Sequence, residues 1–365
     1  MDFFYTHISN KSLELVSQVL KTTFISAGKI ADQFEQELNL KLGLSNPVTV
    51  NSGTSALHLS LLLAGVGQGD EVIVPAQTFI ATGLVVLMCG AKPIFSDIQY
   101  ETGNICPKSI REKITNKTKA IIMVHWAGYP CDIDEINKIA KENNLIVIED
   151  AAHALGAIYN GKPIGSISQF TAFSFQAIKH LTTGDGGALC CLNEKEAIIA
   201  KKKRWFGIDR QNSLPSILGE RIYDVTEVGY KYHLNDMAAA IGLGNLEDFS
   251  SILYRRLQIA KKYKDNLKDV PGLTLLKYTE DRQSAYWLFT ILVEERENFI
   301  RMLQKKGIPT SVVSLRIDKN SIFGSITRGL INQEKFNKKQ VSIPIHSAIT
   351  DEEVNLIIKS IKEGW

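Results

Sequence analysis

An α/β fold with a large, mostly parallel mixed sheet and a smaller C-terminal α+β domain is predicted by three features of this 365-residue sequence. Short β-branched runs alternate with helical patterns from about residue 48 to 192. Those runs are apolar on both faces, as strands covered by helices on both sides must be. After residue 235 the pattern changes to long helices and then to a smaller mixed portion. This sets a domain boundary near residue 245, with 1–245 as the N-terminal segment and large domain and 246–365 as the small domain.

Taken in order, VTV (48–50), EVIVP (71–75), KPIFSDI (92–98), KAIIMVHW (119–126), LIVIED (145–150), TAFSF (171–175) and GALCCL (187–192) read as strands. Each is rich in β-branched or aromatic residues and bounded by turn formers. SALHLSLLLAG and DEINKIAKENN are helical segments between them. KKKR at 201–204 falls in a charged helix and reads as a solvated face. NDMAAAIGLGNLEDF and SSILYRRLQIAKKYKDNL follow as long helices, with PGL at 271–273 as a break. YWLFTILV is then a strand, and ENFIRMLQKKG and TDEEVNLIIKSIKEG are helical.

Apolar content of 44% with 22% charge is ordinary for a soluble globular chain, and a net charge of +3 gives no reason to invoke nucleic acid or an anionic membrane. The five cysteines form no CxxC pair and suit a reducing compartment. The first residues lack the basic head and apolar core of a signal peptide, and no apolar run is long enough to span a bilayer, so a cytoplasmic location is expected. His7, His58, His125 and His346 show no metal spacing, and no metal is expected.

In sheets of this kind ligands bind beyond the carboxyl ends of the strands, and four strand ends carry suggestive chemistry. Asn51-Ser52-Gly53-Thr54-Ser55 joins VTV to an apolar helix, whose N-terminus favours an anion such as phosphate; a capped helix start explains it as well. Glu149-Asp150 closes LIVIED; neighbouring strand residues face opposite ways, so the two form no carboxylate dyad, but one faces the crevice and suits a protonated ring nitrogen. Asp capping the next turn is the plainer alternative. FSFQAIKHLTTGDGGAL sets Ser174 and Lys179 after a strand, and a lysine in so apolar a stretch is a candidate nucleophile toward an aldehyde once desolvated. Phe79, after EVIVPA, is an aromatic placed to cover a flat ring, although most such residues are core. Phosphate donors, an aromatic cover, a carboxylate and a lysine together match the needs of pyridoxal 5'-phosphate.

VNSGTSALHLSL, DEVIVPAQTFIAT, IIMVHWAGYPCDIDEI, VIEDAAHALGA, AFSFQAIKHLTTGDGGAL, GYKYHLNDMAAAIGL and SIPIHSAITDEEV follow one another over nearly the whole chain. Together they resemble the fold-type-I, pyridoxal-phosphate-dependent nucleotide-sugar aminotransferases of the DegT/DnrJ/StrS type. The resemblance implies that Lys179 forms the Schiff base with the cofactor and later moves the proton, leaving pyridoxamine phosphate. It implies that Asp150 pairs with the pyridine nitrogen, that Phe79 stacks on the ring with Ala152 and His153 nearby, and that Gly53, Thr54, Ser55 and Ser174 hold the phosphate. It further implies a homodimer in which GYKYHLND, with Lys231, reaches the neighbouring subunit's site, and transfer from L-glutamate to a nucleotide-linked keto sugar.

The chain departs from the family pattern at Gln176 (commonly His), Asp185 (Glu), Lys231 (Asn) and His233 (Arg), and SVVSLRIDKNSIFG replaces a substrate loop that often carries histidine. Candidate substrate residues are His125, Trp126, Gln176, His180 and Arg316, with Arg204 and Arg210 as further anion holders; a core histidine or a surface charge is the plainer role for several. A smaller phosphorylated ketone is the alternative acceptor. A sugar dehydratase is disfavoured because Lys179 stands where those relatives carry His, and a non-catalytic cofactor-binding protein is disfavoured by the intact Lys179, Asp150 and Phe79 set. No GxGxxG follows a strand, which argues against a dehydrogenase.

Overall fold

A computed structural model describes residues 1–210 and 212–365. Its centre is a seven-stranded sheet built from β1 (Pro47–Val50), β2 (Glu71–Pro75), β3 (Lys92–Ser96), β4 (Thr118–Val124), β5 (Ile146–Asp150), β6 (Phe170–Ser174) and β7 (Gly187–Cys191). The spatial order is β1-β7-β6-β5-β4-β2-β3. The four pairings from β6 to β3 are parallel, while β7 runs antiparallel to both β6 and β1, giving the mixed sheet expected. Gly187, which opens β7, must be small: a Cβ there would lie 2.5 Å from the Phe173 carbonyl oxygen and 2.7 Å from the Gly53 nitrogen.

The strands read as continuous apolar runs because both faces are covered. Along β4, Ile121 and Met123 join one core and Ala120 and Ile122 the other, the period of two that the pleat imposes. The first core includes α2 (Lys29–Leu42), through Phe34 and Leu38, and α6 (Ile133–Glu142), through Ile136 and Ile139. The second includes α3 (Gly53–Leu63) and α4 (Ile80–Met88), whose predominantly apolar stretches suit helices packed on a sheet. α7 (Glu194–Lys203) also packs there through Ala197 and Ala200. Its basic end is more than a solvated face: Lys201 and Arg204 both pair with buried Glu35, which keeps that carboxyl ionised against the cost of its burial.

One continuous helix, α8 (Asp236–Leu267), takes the place of the two long helices expected. Its N-terminal part, through Ala239, Leu243, Leu246 and Phe249, belongs to the core of the large sheet. Its C-terminal part, through Ile259, Tyr263 and Leu267, belongs to a separate core with a three-stranded antiparallel sheet. Residue 245 therefore lies mid-helix, and the change of core falls between Phe249 and Ile259. The small sheet comprises Leu273–Leu275, Phe289–Val293 and Gln340–Ile343, with the helices Arg296–Lys305 and Asp351–Lys362 nearby in sequence. Among the described residues no helix is long and apolar enough to cross a membrane.

Candidate active site

At the carboxyl ends of β4, β5 and β6 a cleft of about 540 Å³ is lined by Val124, Asp150 and Ser174 and roofed from the small-domain side by Trp287, Ser311 and Ser314. Strand alternation sends the two acidic residues of β5 to different fates. Glu149 turns inward to a fully buried pair with His125, Nε2 to Oε2 at 2.7 Å. Asp150 lines the cleft; its Oδ2 accepts from the Thr82 hydroxyl at 2.7 Å and its Oδ1 from the Ala152 amide at 3.2 Å. Burial raises the Asp150 pKa above its ordinary value, opposed by the Thr82 bond, the Ala152 amide and nearby Lys179.

Lys179 sits in the bend after β6, its amide donating to the Gln176 carbonyl at 2.9 Å. Its Nζ lies 3.5 Å from the centre of the Trp287 ring. Desolvation lowers its pKa to about 7, only partly offset by Asp150. Near neutral pH much of this lysine is therefore a free amine, the form that attacks an aldehyde. His153 stacks on Trp287 with ring centres 3.8 Å apart, and burial, then the neighbouring cations, hold its pKa well below the usual imidazole value.

Three features fit a flat, phosphorylated aldehyde. Phe79, at the start of α4, lines the cleft with 62% of its surface exposed, an aromatic suited to covering a flat ring. His153 Nδ1 is buried beside the cleft without a hydrogen-bond partner. Gly53 and Thr54, at the start of α3, line the cleft beside Ser174, and the first amides of a helix lack partners within it. Pyridoxal phosphate bound here would supply the electron sink for a carbanion next to the transferred nitrogen.

Several expected site residues fall elsewhere. Ser55 is turned into the helix cap, its hydroxyl donating to Asn51 Oδ1 at 2.6 Å, and neighbouring Ser52 lines the cleft instead. His125 is locked between Glu149 and the Cys131 amide, and Trp126 is fully buried behind the cleft, edge-on to His153 at 6.0 Å in the apolar cluster that also holds Trp287. His180 points away, its Nε2 donating to the Ala285 carbonyl at 2.8 Å. Arg316 is 2% exposed because the Arg-Ile-Asp spacing forms a tight turn in which Asp318 binds its guanidinium twice. Arg204 serves Glu35, and Arg210 lies over the Trp205 ring at 4.6 Å. Lys231 is exposed, bridged to Trp205 and outside this chain's own cleft. Gln176 does line the cleft, as does Asp185.

Four contributors were not anticipated. Thr82 was legible as a lone hydroxyl in the apolar run IATGLVV, and Ser52 as the hydroxyl preceding Gly53. Trp287 and Phe4 carried no local signal. Trp287 is fixed by its Nε1 donating to the Ile178 carbonyl at 2.9 Å and by buried Arg256 on α8. That guanidinium donates to the carbonyls of Tyr286 (3.0 Å), Trp287 (3.2 Å) and Ile345 (2.7 Å). Tyr286 itself has φ of 48°, a conformation that costs a bulky residue energy and needs such support.

A mixed α/β sheet with a desolvated lysine and a buried carboxylate sharing a cleft at its strand ends defines a pyridoxal-phosphate transferase of fold type I. Within that class the chain belongs to the DegT/DnrJ/EryC1/StrS aminotransferase family, whose model matches residues 6–362. It is thus a pyridoxal-phosphate-dependent aminotransferase. GDP-perosamine synthase of Escherichia coli O157:H7 is 34% identical over 365 residues, covering 98% of this chain and 96% of that protein. The sugar aminotransferase CalS13 from Micromonospora echinospora superposes with a TM-score of 0.95 at 32% identity, over 100% of both chains. Spr1654 from Streptococcus pneumoniae, solved in its PLP form, superposes with a TM-score of 0.91 at 30% identity, over 100% of this chain and 98% of that one.

Proposed function

We propose that this enzyme transfers an amino group from L-glutamate to the keto group of a nucleotide-linked sugar in amino-sugar or surface-polysaccharide biosynthesis, acting as a cytoplasmic homodimer. The observation that carries the chemistry is the pairing of Lys179 and Asp150 in one cleft, an amine with its pKa lowered to about 7 facing a buried carboxylate. The acceptor class is supported by full-length likeness to GDP-perosamine synthase and to a sugar aminotransferase.

Lys179 Nζ would hold the cofactor's aldehyde carbon and, as a free amine, would be the base that takes the proton from the donor's α-carbon. Asp150 holds a proton on the ring nitrogen, with Thr82 and the Ala152 amide fixing its orientation. Phe79 would cover the ring, His153 Nδ1 would be free to meet a ring substituent, and Gly53, Thr54, Ser52 and Ser174 would take the phosphate. Lys231 of each subunit adds a cation to the partner's phosphate site. Adding L-glutamate to purified enzyme should bleach the visible band of the lysine-bound cofactor, and a nucleotide-linked 4-keto sugar should restore it. A band unmoved by glutamate, or restored only by a keto triose phosphate, refutes the assignment.

A further inference from the structure

The wall of the cleft facing the incoming ketone is unlike the cofactor side. It is made by Phe4, Ile178, Trp287 and Val313, with the hydroxyl-bearing Ser311 and Ser314 as its polar groups. Among the described residues lining the cleft, Lys179 is the single lysine and no arginine is present. Phe4 stacks on Trp287 at 5.3 Å and 22°, and Trp287 on His153, so three nearly parallel rings run from the N-terminal segment to the reacting amine.

Phe4 is held in place from both domains. The His346 Nε2 donates to the Asp2 carbonyl at 3.1 Å, and Tyr5 stacks on the His346 ring at 5.9 Å. His7 meets Asp248 of α8 at 2.9 Å, and the Ser9 amide donates to Asn245 of the same helix at 2.8 Å. Four apolar residues brought from positions 4, 178, 287 and 313 make a surface that an anion next to the ketone would meet desolvated and unpaired by this chain. The apolar face of a sugar ring stacks well on aromatic carbon, and its hydroxyls suit the serines.

We infer that Phe4, backed by Trp287, is the stacking surface for the acceptor's sugar ring, making the N-terminal segment a specificity element that favours a ring-bearing acceptor over a small phosphorylated ketone. This rests on the acceptor class proposed above.

The test is calorimetric titration of the cofactor-loaded enzyme, which needs no turnover, with a UDP-linked 4-keto-6-deoxyhexose, UDP-glucose and dihydroxyacetone phosphate. The deoxy sugar should bind best. Phe4→Ala should weaken it about tenfold and Phe4→Tyr should retain most of the affinity. In steady state, Phe4→Ala should raise the KM for that acceptor with little change in kcat, and an unchanged melting temperature shows the variant folded. Equal affinity in Phe4→Ala and wild type, no binding of the deoxy sugar by wild type, or tighter binding of dihydroxyacetone phosphate overturns the inference. Failure of glutamate to bleach the wild-type band is a separate outcome: it removes the aminotransfer assignment, while the titration still decides what Phe4 contacts.

Discussion

The two sides of the cleft are built differently. The cofactor side comes from strand ends and the turns after them: Gly53, Phe79, Asp150, Ser174 and Lys179 each follow or close a strand of one sheet. The acceptor side is gathered from distant stretches, Phe4 at the N-terminus, Trp287 entering a small-domain strand, and Ser311–Ser314 in a loop. The first side performs chemistry common to the whole family and is bound to the fold that positions it. The second can change one residue at a time without disturbing the sheet, which is where a family of similar folds would vary its acceptors.

Breaking the cofactor side should have the largest effects. Lys179→Ala is expected to abolish both turnover and the visible absorption band while leaving far-ultraviolet circular dichroism intact. Asp150→Asn should lower kcat by about 10²–10³, the scale of removing a preorganised charge, with the glutamate KM less affected; stopped-flow absorbance of the glutamate half-reaction measures it. Loss below about threefold would show that Asp150 does not hold the ring proton.

The acceptor side should respond more gently and chiefly through binding or stability. Arg256→Met leaves three carbonyls, those of Tyr286, Trp287 and Ile345, without their donor, and should cost about 2–4 kcal/mol in denaturant unfolding. It should also loosen Trp287 and raise the acceptor KM. The last effect concerns the cofactor-free protein. Lys179 binds its proton more weakly folded, at about 7, than unfolded, near 10.5, so the unfolded state gains protons between those values. The penalty is complete below about pH 7 and fades as pH rises toward 10.5; thermal melts of apoenzyme from pH 7 to 9.5 should show a rising contribution that Lys179→Met removes.

The sheet and its strand ends were readable because their signals are local. Apolar runs of four to seven residues, each closed by a polar or glycine-rich turn, define both the strands and where a ligand must bind. Side-chain partners were not readable. Arg316 looked like a free anion holder until Asp318, two residues on, took two of its three guanidinium nitrogens. His125 and His180 flank the site in sequence but are satisfied by Glu149 and by the Ala285 carbonyl. Ser55 donates its hydroxyl to Asn51 Oδ1 while Ser52 caps the same helix through the Ser55 amide, a division of labour that the run of hydroxyls does not reveal. Phe4 and Trp287 lie 283 positions apart, and no periodicity links them.

The unbroken helix Asp236–Leu267 has a mechanical consequence. At 1.5 Å per residue it is a strut about 48 Å long, embedded at one end beneath the large sheet and at the other in the small domain. Arg256, at the point where it passes between them, grips the turn that carries Trp287. Swinging the small domain outward would require bending this strut or tearing that grip. The acceptor wall is consequently tied to this helix, and its shape when a ketone arrives depends on the Arg256 contacts holding.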